Sequence, residues 1–557
     1  MCGLIGSSYL NINRIDVLDL VHRGPDSNGI FKKEKISIGH TRLSIIGLDD
    51  GSQPLVSKDG RYSLVFNGEI YNYIELKKCF EEDLETDSDT EVLFQLLIKD
   101  GVKKTLEKIN GMFAFAFVDY ENQEIILARD RLGQKPLFYS MNKDGINFAS
   151  EIYPIYSLIK SNGLSINPDA LSSFFNCFYI PSPLTIWNEI TSLEQGTFST
   201  YDIRGNNLTH EQYWAPHSTS RKLNAEKTLG SLLDNATSLR MRSDVDFGSF
   251  LSGGVDSSLI VQSMSKEKKN VKTFVASIKD SLNEEKYAKI VSDKFKTDHT
   301  VLDVEKGDIS RNFLRRLVKS FGQPFADSSI IPTFLVSKEI AKNVKVAISG
   351  DGADEIFCGY DKYRSDKTLK ELFFRNENID FIVPEMRRDT FEWMKSKIPE
   401  FDTLSKKDAI NQLDIRYFLE GDILQKVDRM SMLNSLEVRS PFLDHRIVET
   451  ALSLKDEYVF DSHTGKKCLK DLLCKTFDTD FVYRDKIGFM LSIEEWEEKI
   501  DELLDFENIL KTGLFIDTIN KRSMPAYLKF AFLVFDIWLE EFYEESRCIN
   551  NHNKLQL

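Results

Sequence analysis

The sequence predicts two domains: an α+β domain rich in β-sheet, followed by an α/β domain built on a parallel sheet. At 557 residues the chain exceeds what one hydrophobic core usually supports. Short apolar runs separated by turn residues fill the segment 36–150, whereas strand, polar loop and helix alternate beyond about residue 225. The polar segment 206–221 lies between the two patterns, so we expect the domain boundary there. The predicted bounds are 2–210 and 220–545, with a polar C-terminal tail at 546–557.

The individual elements follow from these runs. In the first domain the predicted strands lie at 36–46, 62–67, 112–118 and 124–129. In the second domain they lie at 247–251, 271–278 and 344–348, with a helix near Glu284 and mostly helical text from about residue 360, ending in an amphipathic stretch near 525–543. Ligands bind beyond the carboxyl ends of strands in parallel sheets, where two loops rich in Ser and Gly would lie.

Composition excludes several classes of protein. Hydrophobic residues make up 41% and charged residues 29%, which is typical of a soluble globular protein. The net charge of -15 opposes binding to nucleic acid and to anionic membranes. The chain has no basic leader and no run of about 18 apolar residues, so we expect a cytoplasmic location. The seven cysteines show no CxxC pair and no zinc spacing, which predicts reduced thiols and no structural metal.

Cys2 is a candidate nucleophile. Removal of Met1 would place its thiol beside a free α-amino group. An α-amine has an ordinary pKa of about 7.7 to 8.0, so a useful fraction is neutral at pH 7 and can accept the thiol proton. Position alone leaves the plainer alternative open, an ordinary second residue that happens to be cysteine.

An ordered set of motifs favours a nucleophilic role for Cys2 over the plainer alternative. The motifs are MCGLIG, HRGPD, GHTRLSIIG, FNGEIYN and SDTEV. The set resembles the glutaminase domain of class II glutamine amidotransferases, which are N-terminal-nucleophile hydrolases with an αββα sandwich. The resemblance covers about residues 2–200. It implies that Cys2 attacks the glutamine amide, giving a γ-glutamyl thioester and ammonia.

The same resemblance implies a role for each matching residue. The Asn67 side chain and the Gly68 N–H would form an oxyanion hole, which needs fixed donors where negative charge develops. Arg42 would hold the glutamine α-carboxylate through its planar fork. Taken singly, these residues also fit an ordinary turn or a surface ion pair. The implied glutamine-binding residues are Arg42, Leu43, Ile45, Asn67, Gly68, Glu69 and Asp89, the last two facing the α-ammonium.

The second domain contains two candidate phosphate loops. SGGVDSS, at 252–258, places two glycines between an apolar strand and a helix, where backbone N–H groups can face phosphate. It lacks the Gly-Lys-Ser/Thr ending of a Walker loop, so we expect cleavage of ATP between the α- and β-phosphates. SGDGADEIFCGY, at 349–360, adds carboxylates, and Asp256 and Asp354 are candidates for Mg²⁺. The alternative for these acidic residues is a capped helix start.

Three further motifs, PFADSSIIP, DRMSMLNSLEVRSPFLDH and RDKIGF, complete the pattern. With the two loops they resemble the synthetase domain of the asparagine synthetase B family, an ATP pyrophosphatase-like α/β domain, over about residues 225–545. The resemblance implies that ATP adenylates the side-chain carboxylate of aspartate, releasing pyrophosphate, and that ammonia arriving through an internal passage attacks the acyl-AMP. The implied nucleotide-binding residues are Leu251, Ser252, Gly253, Gly254, Asp256, Ser257, Ser258, Ala276, Ser349 and Gly350. The implied acceptor-binding residues are Asp327, Ser328, Ser329, Asp351 and Lys486, of which Asp351 and Lys486 would be catalytic.

Some alternatives stay open at the level of sequence. Tyr153, Cys358 and Ser492 depart from the usual family text, and Asp351 stands where some relatives have glutamate. Another acceptor carboxylate is compatible with the same machinery, such as a uronic acid sugar used in surface polysaccharide synthesis. A nonenzymatic sensing protein on the same scaffold is a more remote alternative. The expected small-molecule partners are glutamine, aspartate and ATP, with Mg²⁺; a homodimer stays open.

Overall fold

The computed structural model describes residues 2–80, 84–216, 225–278, 284–304, 309–376, 378–484, 493–516 and 524–543. Two antiparallel sheets form the first domain, and one parallel sheet forms the second. The strands of the first domain are β1 Cys2–Ser7, β2 Ser27–Lys33, β3 Ile36–Arg42, β4 Leu55–Val56, β5 Tyr62–Ile70, β6 Gly111–Asp119, β7 Glu124–Arg129, β8 Phe138–Asn142, β9 Gly145–Ala149, β10 Thr191–Ser192, β11 Thr197–Asp202 and β12 Asn207–Gln212. Its helices are α1 Arg14–Leu18, α2 Tyr73–Lys77, α3 Asp89–Asp100, α4 Val102–Lys108, α5 Ile152–Ile159 and α6 Pro168–Cys177.

The two sheets of the first domain stack face to face. One has the strand order β10-β8-β9-β1-β3-β2 and the other β12-β11-β7-β6-β5-β4. Strand β6 shows how alternation builds the layers, because Ala114 and Ala116 face the partner sheet while Phe113 and Phe115 pack with residues of α3. Helix α5 packs with residues of the other sheet in a separate core. The predicted αββα sandwich is therefore confirmed.

The second domain contains a five-stranded sheet in which every pairing is parallel. Its strands are β13 Phe247–Phe250, β14 Lys272–Ile278, β15 Asp298–Val304, β16 Val346–Ile348 and β17 Glu437–Arg439, in the order β15-β14-β13-β16-β17. The chain builds outward from β13 to β15 and then returns to β16 on the opposite side of β13. Strands β13 and β16 therefore flank the topological switch point, where such sheets bind ligands. The prediction of a parallel α/β sheet is confirmed.

Helices surround this sheet, as the sequence predicted. They are α7 Ala225–Arg240, α8 Val255–Glu267, α9 Glu285–Phe295, α10 Arg311–Phe321, α11 Ile330–Ile340, α12 Ala353–Ile356, α13 Leu369–Phe373, α14 Thr390–Ser396, α15 Lys406–Leu413, α16 Gln425–Met432, α17 His445–Ser453, α18 Asp456–Val459, α19 Lys467–Leu473, α20 Thr479–Val482, α21 Glu497–Leu503, α22 Phe506–Leu510 and α23 Ala526–Trp538. Segments Asp414–Leu424 and Leu539–Tyr543 form π-helix. Short 3₁₀ turns lie at Lys160–Asn162, Asp361–Arg364, Pro384–Met386, Phe401–Thr403, Pro441–Leu443 and Ile493–Trp496.

Candidate active sites

Cys2 begins β1 and is buried, with 7% of its surface exposed. Burial raises the pKa of its thiol, although a hydrogen bond from the Leu43 N–H lowers it. The thiol is therefore protonated at neutral pH and needs a base to become a nucleophile. The nitrogen of Cys2 itself becomes an α-amine when Met1 is removed, which places a base on the same residue.

Asn67 is held beside this nucleophile by a hydrogen bond. Its Oδ1 accepts from the Cys2 nitrogen at 3.1 Å, which fixes the amide plane. Its Nδ2 is buried, and no residue in the described ranges accepts from it. A buried donor without an acceptor costs roughly 1–3 kcal/mol. The structure therefore brings Cys2 and Asn67 together and leaves the amide N–H groups available for negative charge.

Gly68 supplies a second donor at the open edge of β5. The Phe66 N–H donates to Gln53 and the Ile70 N–H donates to Asp89. Because alternate residues of a strand point their N–H groups to the same side, the Gly68 N–H lies at that edge as well. A Cβ atom at Gly68 would lie 2.1 Å from the Met112 carbonyl oxygen, and φ is +155°. Only glycine fits this close approach of two backbones.

The predicted ammonium site contains more charge than the sequence indicated. Glu69 ion-pairs with Arg439 at 3.2 Å, while Glu437 contacts the same guanidinium at 2.6 Å. Burial, together with the charge of Asp89, raises the pKa of Glu69, and burial raises the pKa of Asp89 to about 6. Three buried carboxyl groups lie near one arginine, and the raised pKa values of Glu69 and Asp89 mean that a second cation, such as an ammonium ligand, would favour their ionised forms.

Two of these residues were missed by the sequence reasoning. Glu437 and Arg439 lie on β17 of the second domain, so both domains contribute to the predicted ammonium site. Both residues belong to the sequence motif LEVRSPFLDH, which was the available signal for a functional role. Their pairing with Glu69 could not be predicted, because it depends on how the two domains pack.

Arg42, predicted to bind the α-carboxylate, is anchored by backbone carbonyls. Its two terminal nitrogens donate to the oxygens of Ile46, Gly47 and Leu48. Because a guanidinium has five N–H groups, these contacts fix its position and leave donors for a ligand. Leu43 and Ile45 are buried in the same segment.

The two loops predicted to bind phosphate meet at the switch point. Helix α8 follows β13 directly, with Gly254 at its N-cap, so the N–H groups of its first turn face the loop. Gly253 adopts φ +73°, where a Cβ would lie 2.5 Å from the Tyr287 carbonyl carbon. A Cβ at Gly350 would lie 2.9 Å from that of Asp256, so the second loop contacts the first. The predicted residues Leu251, Ser252, Ser257, Ser258, Ser349 and, on β14, Ala276 surround the same edge of the sheet.

Lys466 is a further residue that the sequence reasoning missed. Its ammonium lies 2.6 Å from Asp256 and 2.8 Å from Asp354, and its side chain is 8% exposed. The two carboxylates predicted for Mg²⁺ therefore converge on one cation. Among the described residues no group of three or more acidic, His or Cys side chains could hold a metal. Two carboxylates nevertheless fit Mg²⁺, which usually takes its remaining ligands from phosphates and water.

The predicted acceptor residues lie near the second loop. Asp351 accepts a hydrogen bond from the Ser349 hydroxyl at 2.6 Å, and burial raises its pKa. Asp327 accepts from the backbone and hydroxyl of Ser329 at 2.9 and 2.8 Å, which fixes the turn that contains Ser328. Lys486 lies outside the described residues, and so does Ser492.

A small cavity lies where the two domains meet, between the two predicted sites. Met112, Gln134 and Lys135 of the first domain line one side, and Ser349 and Asp351 of the second domain line the other. The remaining lining residues are Leu424, Val427, Asp428, Ser431, Val438, Ser440 and Leu443. Helix α16 therefore forms part of the wall between the nucleophile and the phosphate loops.

Buried ion pairs fix α16 against the first domain. The Arg23 guanidinium donates to the Cys2 carbonyl oxygen at 3.1 Å and to both oxygens of Asp428 at 2.8 and 3.0 Å. Lys135 adds a contact to Asp428 at 3.1 Å. The charges of Arg23 and Lys135 outweigh burial and hold the pKa of Asp428 well below its usual range.

Two protein families account for the two halves of the chain. The glutamine amidotransferase domain matches residues 1–214, and asparagine synthase matches residues 228–524, more than half of the chain. The chain belongs to the asparagine synthase family. Asparagine synthetase (glutamine-hydrolyzing) 1 of Bacillus subtilis (strain 168) is 32% identical over 530 residues, which cover 86% of this chain and 83% of that protein. Asparagine synthetase (glutamine-hydrolyzing) 3 of the same organism is 29% identical over 556 residues, covering 92% and 89%, and the Mus musculus enzyme is 28% identical over 524 residues, covering 88% and 84%.

Two of the residues that depart from the usual family sequence, Tyr153 and Cys358, lie in packed positions. Tyr153 contacts the Phe542 ring edge-on, and the Lys319 ammonium lies 4.3 Å from its centroid, so it joins α5 to elements of the second domain. Cys358 is buried with φ +54°, and its sulfur lies 3.9 Å from Asn411. Within the described ranges, no helix is both long and apolar enough to cross a bilayer.

Proposed function

We propose that this chain is a glutamine-dependent asparagine synthetase. It hydrolyses glutamine at Cys2, activates the side-chain carboxylate of aspartate with ATP, and transfers ammonia to give asparagine, AMP, pyrophosphate and glutamate. The observation that carries this proposal is the presence, in one chain, of Cys2 hydrogen-bonded to Asn67 and of two phosphate loops in contact at a switch point. The names of the relatives support the same activity.

In the glutaminase half, the Cys2 α-amine takes the thiol proton and the sulfur attacks the amide carbon of glutamine. The new C–S bond places negative charge on oxygen, where Asn67 Nδ2 and the Gly68 N–H stabilise it. The α-ammonium of Cys2 then returns its proton to the leaving nitrogen, the C–N bond breaks, and ammonia departs. Water hydrolyses the thioester and releases glutamate. Glu69 and Asp89 hold the substrate ammonium, and Arg42 holds its carboxylate.

In the synthetase half, an oxygen of the acceptor carboxylate attacks the α-phosphorus of ATP and pyrophosphate leaves. The SGGVDSS loop and the first turn of α8 hold the departing phosphates, with Lys466 beside them. Asp256 and Asp354 would hold Mg²⁺, which neutralises phosphate charge when it is bound. Ammonia then attacks the acyl carbon, and AMP leaves. We assign Lys486 to charge stabilisation at this step by family resemblance.

We propose that ammonia travels between the sites by an internal route that includes the small cavity. Ammonia in neutral water is mostly ammonium, which is not a nucleophile, and an exposed acyl-adenylate hydrolyses. The cavity extends from Met112, whose backbone pairs with Glu69, to Asp351 beside the phosphate loop. We therefore place the ammonia path along α16.

The remaining assignments are also proposals. We place the glutaminase domain at 2–210, the synthetase domain at 220–545 and a polar tail at 546–557, although β12 continues to Gln212. We propose a cytoplasmic enzyme and leave a homodimer as the oligomeric state to be measured by light scattering.

Pyrophosphate release with a panel of carboxylates tests the acceptor. We expect aspartate to stimulate release from purified protein, with glutamine or ammonium as nitrogen source, and uronic acids to give only background. If a uronic acid stimulates pyrophosphate release and aspartate does not, the uronic acid is the acceptor and the proposed asparagine synthesis is wrong. As a control, Cys2→Ala should abolish glutamine-dependent synthesis and keep ammonium-dependent synthesis. Absence of glutamine hydrolysis by protein lacking Met1 would favour a sensing role.

A further inference from the structure

Four charged side chains form a buried cluster beside the predicted acceptor turn. Arg375 lies 3.3 Å from Asp327 and 3.0 Å from Asp422. Lys426 lies 3.1 Å from Asp327 and 3.6 Å from Asp422. These residues come from three segments, since Asp327 precedes α11, Arg375 follows α13, and Asp422 in the π-helix lies four residues before Lys426 in the adjoining α16. The fold therefore brings Asp327 and Arg375, which are distant in sequence, to a carboxylate and a cation on one continuous helical segment.

Stability alone does not explain this cluster. Removing charges from water costs several kcal/mol per ion, and replacing a buried ion pair by apolar side chains is often neutral or stabilising. Asp422 is fully buried, and its Oδ1 has no hydrogen-bond partner among the described residues. The Arg375 side chain, by contrast, is 38% exposed. The cluster thus combines a buried carboxylate oxygen that lacks a hydrogen bond, although the Lys426 ammonium lies 3.6 Å away, with a cation that reaches solvent.

The position of the cluster connects it to the synthetase chemistry. Lys426 acts electrostatically on Asp351, which lies in the second predicted phosphate loop. Its neighbours in α16, Val427 and Asp428, line the cavity that reaches the same Asp351. Asp422 lies near the C-terminal end of an 11-residue π-helix, a conformation that is frequent at functional sites. A small acceptor whose carboxylate is activated near Asp351 would have its other groups near this cluster.

We propose that this cluster recognises the α-amino and α-carboxylate groups of the acceptor and so selects an amino acid. Asp422, with Asp327, accepts from the α-ammonium, and the Arg375 fork binds the α-carboxylate while Lys426 balances the charge. Two carboxylates and two cations match a zwitterion, whereas a uronic acid has no cation for Asp422 to bind. This inference depends on the proposed synthetase function and adds three specificity residues, Arg375, Asp422 and Lys426.

Truncated acceptors test the assignment directly. Succinate lacks the ammonium of aspartate, and 3-aminopropanoate lacks its α-carboxylate. With ammonium as nitrogen source, pyrophosphate release is measured for the three acceptors in wild type, Arg375→Gln and Asp422→Asn. Each variant should raise KM for aspartate about 10- to 100-fold, the effect of a lost charged hydrogen bond. Asp422→Asn should lower the ratio of pyrophosphate release with aspartate to release with succinate. Arg375→Gln should lower the ratio of release with aspartate to release with 3-aminopropanoate.

Controls separate recognition from folding. Arg387→Gln changes an arginine of similar exposure that pairs with Asp380 outside the cluster, and it should leave all three acceptors unaffected. In every variant, the KM for ATP and the rate of glutamine hydrolysis should both stay at wild-type values. If Asp422→Asn does not fold, Arg375→Lys decides, because it keeps the charge, loses the fork and should give an intermediate KM.

Two different failures are distinguishable. Unchanged preferences in folded variants, or equal losses for all three acceptors, would overturn the inference while leaving asparagine synthesis intact. A wild-type protein that releases no pyrophosphate with aspartate would instead refute the proposed function, and the cluster would then not be an aspartate site.

Discussion

Replacing Asn67 by alanine should separate catalysis from stability. The change removes the Nδ2 donor proposed for the oxyanion and the acceptor of the 3.1 Å hydrogen bond from Cys2. Loss of one oxyanion donor typically lowers kcat about 10²- to 10³-fold, or about 2.7–4 kcal/mol of transition-state stabilisation. The Gly68 N–H remains, so residual activity is expected. Because the buried Nδ2 is unpaired at rest, its removal offsets much of the lost hydrogen bond, and the free energy of unfolding should change by only about 1 kcal/mol.

The assay measures glutamate release and ammonium-dependent pyrophosphate release on the same Asn67→Ala preparation. Glutamate release should fall by the stated factor, and pyrophosphate release with ammonium should stay at the wild-type level. Asn147→Ala is a matched control, because Asn147 is buried in the same domain and donates to the Tyr9 hydroxyl instead. Wild-type glutaminase activity in Asn67→Ala, or an equal loss in Asn147→Ala, would refute the assignment of the oxyanion hole.

Three further predictions concern charge. Burial raises the pKa of Asp89 to about 6, and Asp89 must be ionised to hold an ammonium, so kcat/KM for glutamine should rise about a hundredfold per pH unit below pH 6 and about tenfold per unit from there to the ordinary pKa of the Cys2 α-amine, about 7.7 to 8.0; a pH profile of Asp89→Asn that keeps the steeper rise below pH 6 would exclude the role. Asp256→Asn should lower pyrophosphate release at least about tenfold while glutamate release is unchanged, and normal ATP turnover would remove Asp256 from the phosphate site. Asp428→Asn weakens the contacts of Arg23 and Lys135 in the cavity wall, so more glutamate should form per asparagine; unchanged stoichiometry by chromatography would show that α16 does not confine ammonia.

Local sequence was sufficient for much of the fold. The alternating β6 segment, with phenylalanines on one face and alanines on the other, predicts a strand between two layers. The strand-loop-helix pattern around SGGVDSS predicts the parallel sheet and its ligand edge. Strands β2 and β12 were not predicted, because Ser27–Lys33 and Asn207–Gln212 are mostly polar and exposed and are held by pairing with their neighbours.

The sites divide in the same way. Residues within one motif, such as Asn67 and Gly68, could be predicted as site residues because they are adjacent in sequence and lie on one strand. Residues joined by tertiary contacts could not, because Arg439, Lys466 and Arg375 acquire their partners only when distant segments meet. A lysine in the sequence does not indicate that it will bridge two buried carboxylates.

Nitrogen transfer between the two sites is the central claim, and isotope transfer tests it most directly. The enzyme is supplied with aspartate, ATP, amide-¹⁵N glutamine and an excess of unlabelled ammonium, and the product is analysed by mass spectrometry. The account predicts asparagine whose amide nitrogen is richer in ¹⁵N than the ammonia in solution, because nitrogen released at Cys2 reaches the acyl-adenylate internally. Asparagine labelled only to the level of the solution, or no asparagine, would contradict it.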